Sequence, residues 1–75
     1  MNAERRTRIK DISQKLSDIR DEIDNVREEE DEARENMPES LQGTERYENS
    51  ETCSNAMDDA INSIDDAISS LEEAV

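Results

Sequence analysis

Apolar residues recur through the first half of the chain at Ile9, Ile12, Leu16, Ile19, Ile23 and Val26. The spacing alternates three and four, the a/d seam of a heptad helix. With Ile9 at an a position, the seam runs on through Glu30, Ala33 and Met37, and Glu30 is its one charged member. The stretch from Met37 to Thr44 then holds the only Pro and the only Gly of the chain. Pro38 disfavours helical backbone at Met37, and Gly43-Thr44 reads as a turn followed by an N-cap. Beyond it, Met57, Ile61, Ile64, Ile68, Leu71 and Val75 form a second seam, in which the heptads MDDAINS, IDDAISS and LEEAV are near-copies. The pattern predicts helix 1 over about 3–36, a turn over about 37–44 and helix 2 over about 45–74. Together they make one helical-hairpin domain covering 1–75.

Two helices joined by so short a break are expected to fold back antiparallel, and the charges offer a separate test. In an antiparallel pair e positions face e positions. Pairing Arg34 with Glu51, Arg27 with Asp58 and Arg20 with Asp65 sets opposite signs together, and each pair of residue numbers totals 85. Core layers then follow as Glu30/Met57, Val26/Ile61, Ile23/Ile64, Ile19/Ile68, Leu16/Leu71 and Ile12/Val75. The expected fold is an all-α, antiparallel two-helix coiled-coil hairpin.

A lone hairpin is thin, with one seam to bury. Helix 2 carries a further row of small residues at g: Cys53, Ala60, Ala67 and Ala74. The g positions of helix 1, namely Arg8, Lys15, Glu22 and Glu29, cannot fill an apolar groove against that row. Another helix is therefore expected to cover it, by dimerisation into a four-helix bundle or by docking of a partner. Cys53 is expected as a small buried thiol in a reducing compartment; an intermolecular disulfide stays open.

Composition narrows the function. The hydrophobic fraction is 31%, the charged fraction 41%, the net charge -13 and the mean hydropathy -1.14. That combination marks disorder unless the apolar residues are ordered along the chain, and here they are. No window is apolar enough for a membrane span, and the opening MNAERRTRIK lacks the apolar stretch of a secretory signal, so a cytoplasmic location is expected. A pI near 4.1 argues against direct contact with nucleic acid. With no His and one Cys, neither the usual zinc sets nor a Cys/His or Ser/His catalytic pair can be assembled. The acidic run Glu28–Glu32 lacks the Gly-containing loop of a dedicated calcium site. The expectation is a protein without enzymatic activity, cofactor or structural metal.

Carboxylates are the only abundant reactive groups. Glu48, Glu51, Asp58, Asp59, Asp65, Asp66, Glu72 and Glu73 form a one-sided stripe on helix 2, with the e/f pairs standing roughly 10 Å apart along the axis. Such a stripe can serve solubility alone, or can occupy a cationic groove. At the other end, residues 1–10 carry a net +3, expected to lie beside Glu72-Glu73 in the hairpin.

The turn NMPESLQGTERYE, with DDAINSIDDAISSLEEAV after it, resembles a group of small acidic helical-hairpin proteins of Gram-positive bacteria, their prophages and mobile elements. That resemblance implies a setting and no assigned activity. It favours a small inhibitor or modulator that occupies the basic groove of a host nucleic-acid-handling, defence protein. The alternative is a self-assembling structural or adaptor coiled coil. The expected partners are a second copy of the chain, a basic host protein, or both.

Overall fold

A computed structural model describes residues 1–75. Helix α1 spans Ala3–Glu35 and helix α2 spans Glu45–Glu72, with a short 3-10 turn at Glu39–Leu41 between them. The two helices pack against each other as a hairpin measuring 60 × 14 × 11 Å.

Each boundary has a local cause. The Asn2 side chain accepts a hydrogen bond from the Arg5 backbone N–H at 2.8 Å, satisfying one of the four unpaired donors that open a helix. At the far end of α1, the Asn36 N–H still reaches the Glu32 carbonyl, and Pro38 then stands in extended backbone. Gly43 takes φ +82, the left-handed conformation that admits the turn into α2. Thr44 occupies the cap position of α2 but does not cap it. Its hydroxyl donates back to the Leu41 carbonyl and stabilises the turn rather than the helix.

The two faces of the hairpin differ from the symmetrical seam. On α2 the inward rows are a and d as expected: Ile61 is 7% exposed, and Met57, Ile64, Ile68 and Leu71 are half-buried. On α1 the helix is rolled about its axis. The a row (Leu16, Ile23, Glu30) and the e row (Arg20, Arg27, Arg34) face α2, while the d row turns out. Ile12, Ile19 and Val26 are 46%, 47% and 53% exposed, and Ala33 is exposed beside them. The expected layers Val26/Ile61, Ile19/Ile68 and Ile12/Val75 are thus not closed on the α1 side. Near the apex the opposing positions of α2 are Ser50 and Ser54, each 5% exposed. Small hydroxyls there offer a β-branched row no hydrogen bond, but they accept from a guanidinium. The roll places Arg34 over them and lays the apolar stems of the arginines across α2.

Candidate functional site

Three surfaces carry the chemistry the hairpin has to offer: a charged flank, an outward apolar flank, and a cleft at the apex.

On the charged flank, Arg20 Nε donates to Asp65 Oδ1 at 2.6 Å and its Nη1 reaches Asp21 at 3.3 Å. Arg27 binds Asp24 at 2.6 Å within its own helix and Asp58 at 3.2 Å across the hairpin. These contacts raise the pKa of both guanidiniums, through the Asp65 hydrogen bond for Arg20 and the Asp24 hydrogen bond for Arg27. Two of the three expected cross-helix pairs are therefore formed. The third is not: Arg34 turns away from Glu51, which is exposed, and binds a polar cluster instead. Arg34 Nη1 donates to Ser54 Oγ at 2.8 Å and to Ser50 Oγ at 3.3 Å, and Nη2 donates to Asp31 Oδ1 at 2.8 Å. Ser54 in turn donates to Asp31 at 2.6 Å, closing a ring of three side chains. The Ser54 hydroxyl, then the Arg34 guanidinium, hold the Asp31 carboxyl below the usual carboxylate range. Sequence reasoning missed Ser50 and Ser54 because it followed apolar residues. Stepping the heptad back from Ile61 and Met57 would have placed both on the inward rows.

Of the acidic stripe, Asp58 and Asp65 are half-buried and engaged by arginine. Glu48, Glu51, Asp59, Asp66, Glu72 and Glu73 are exposed, and no cation of the chain pairs with them. The basic residues Arg5, Arg6, Arg8 and Lys10 form no ion pair with Glu72 or Glu73, so the expected neutralisation between the two ends does not occur. In the Glu28–Glu32 run, successive side chains diverge by about 100° around a regular helix and cannot converge on one ion; no cluster of three or more metal-ligating side chains forms.

The apolar flank joins the outward d row of α1 to the g row of α2. Ala60 is half-buried, while Cys53, Ala67 and Ala74 are exposed. Cys53 is a free thiol and is not the buried one expected, since the g row lies outside the a/d face that α1 covers. At the apex, a cleft of about 500 Å³ opens on this same flank, with Ala33 on one wall, Cys53 on the other, and Met37, Leu41, Glu30 and Arg46 around them. Glu30 lines this cleft half-exposed rather than filling a core layer against Met57. A smaller opening of about 190 Å³ lies at the other end, between Met1, Arg5, Arg8, Ile9 and Ile12. Neither helix is long and apolar enough to cross a membrane. No protein-family model, no curated protein and no solved structure matches this sequence.

Proposed function

We propose that this chain is a non-enzymatic, cytoplasmic binding protein that presents an acidic helical surface to the basic groove of a nucleic-acid-handling protein. One observation carries the reading. The arginines of the hairpin are consumed internally by Asp24, Asp31, Asp58 and Asp65, so the row Asp59, Asp66 and Glu73 faces solvent with no compensating cation. An uncompensated anionic row on a rigid rod suits a cationic groove and raises its own encounter rate. The resemblance of the NMPESLQGTERYE turn adds a phage or mobile-element setting, in which the target is a host defence protein.

The test is affinity capture with the wild type beside Asp59→Asn/Asp66→Asn/Glu73→Gln. Salt-sensitive recovery of one nuclease or DNA-binding protein, lost with the neutralised variant, supports the reading. Equal recovery by both proteins defeats it. A second reading, a self-assembling adaptor whose charge serves solubility, draws on the half-exposed Ile12, Ile19 and Val26. It includes the four-helix bundle, and recovery of the chain alone favours it.

A further inference from the structure

The outward face of α1 carries a pattern that the hairpin leaves unused. Its d row is Ile12, Ile19, Val26 and Ala33, exposed along the apolar flank. Beside it runs the g row, Arg8, Lys15, Glu22 and Glu29, all exposed and none in an ion pair. Read from its N-terminal end, the g row is two cations followed by two anions. A row of that order is complementary to itself when reversed. In an isologous contact, residue i meets residue j while j meets i, and this row meets that condition.

We propose that two copies of this chain pair through α1, antiparallel, about a two-fold axis at Ile19. Arg8 of one copy then stands opposite Glu29 of the other, and Lys15 opposite Glu22, each pair of numbers totalling 37. The same register sets Ile19 against its own copy and Ile12 against Val26. The axis halves α1, since Ile19 is the midpoint of Ala3–Glu35, so the helices overlap over their whole length. Four ion pairs flank one apolar row, and no other protein is needed to supply the matching pattern.

The second helix fits the same axis without adjustment. The observed contacts Arg20–Asp65 and Arg27–Asp58 fix which residues of the two helices stand level. Ile19 is level with Ala67, the axis passes beside Ala67, and Ala60 falls opposite Ala74 of the other copy. This side of α2 carries no charge from Cys53 to Ala74: its g and c rows contain only Cys, Ala and Ser. Small side chains there allow close backbone approach. The two open pockets fall on the interface as well. Arg5 of one copy reaches the level of Ala33 of the other, at the mouth of the apex cleft. The basic residues 1–10, unpaired within their own hairpin, meet the acidic run Glu28–Glu32. Only the outermost row sets like charges together, Asp18 against its own copy; it is a solvent rim, where screening weakens repulsion.

The pairing goes beyond the acidic-surface reading and does not rest on it, because the residues on α1 are not those of the stripe. Sedimentation equilibrium on the full chain should give twice the 8.6 kDa chain mass, with dissociation promoted by salt. Arg8→Glu/Lys15→Glu and Glu22→Lys/Glu29→Lys should each sediment as single chains with helicity retained by circular dichroism. Mixing the two variants should restore the two-chain mass, as should combining all four changes in one chain, since that row is again self-complementary. Ile19→Cys in a Cys53→Ser background should cross-link on oxidation. Asn25→Cys, which does not face its own copy, should not. A single-chain mass for the wild type, or a two-chain mass indifferent to both charge variants, overturns the proposal.

Discussion

At the apex the hairpin is held by hydrogen bonds where a coiled coil would place leucines. Ser54 accepts from Arg34 while donating to Asp31, so one small hydroxyl closes the ring between the helices. Removing it leaves a guanidinium and a carboxylate each short of a partner at a site 5% exposed. Ser54→Ala should therefore lower stability by about 1–3 kcal/mol, read as a shift in urea midpoint at unchanged slope. Glu51→Gln should leave the midpoint where it is, because Arg34 does not bind Glu51. Arg27 differs in kind: it bridges Asp24 and Asp58, yet its Nε is buried without an acceptor. Arg27→Glu should destabilise and Asp58→Arg should recover part of the loss, because the two positions face each other. A double-mutant cycle without coupling would show that this cross-helix contact carries no energy.

The helices and the break between them were legible because alternating three-and-four spacing has no other regular solution, and because Pro38 and Gly43 stand together between the seams. Gly43 illustrates how local that signal is. Its φ is +82 and a Cβ there would meet nothing within 4 Å, so strain alone opposes substitution. Gly43→Ala should cost about 1 kcal/mol and Gly43→Asn less, measured by thermal melting, because Asn tolerates the left-handed region better. The roll of α1 was not legible. A heptad pattern gives a and d equal standing, and the choice between them depends on what the other helix presents. Here Ser50 and Ser54 on α2 draw in Arg34, and the e row follows it inward while Ile12, Ile19 and Val26 turn out. The pairs Arg20–Asp65 and Arg27–Asp58 were legible since a roll toward e keeps e opposite e. The candidate stripe was legible as a row of residues, but which of its members are neutralised depended on that roll.

Over the whole molecule the opposing terms are a net charge of -13 and a small set of engaged carboxylates. Lowering the pH from 7 protonates carboxylates that have no cation beside them, which lessens self-repulsion in the folded hairpin. Stability should rise at first. Asp31 acts in the other sense. Its folded-state pKa is depressed, so its contribution is fully present above the ordinary carboxylate range and is lost as pH falls through the depressed value. The curve of melting temperature against pH should therefore climb from pH 7 to a maximum at roughly pH 4–5 and then descend. Asp31→Asn should keep the climb, since the repulsion it relieves lies elsewhere, while flattening the descent. Added salt at pH 7 should reproduce part of the climb by screening. Circular dichroism melts at fixed protein concentration decide the matter. A melting temperature that falls steadily from pH 7 to 5 would mean that engaged carboxylates, and not the uncompensated surface, dominate the electrostatics of this fold. An acid limb unchanged by Asp31→Asn would place the loss at Asp58 and Asp65 instead, on the flank where Arg27 and Arg20 hold them.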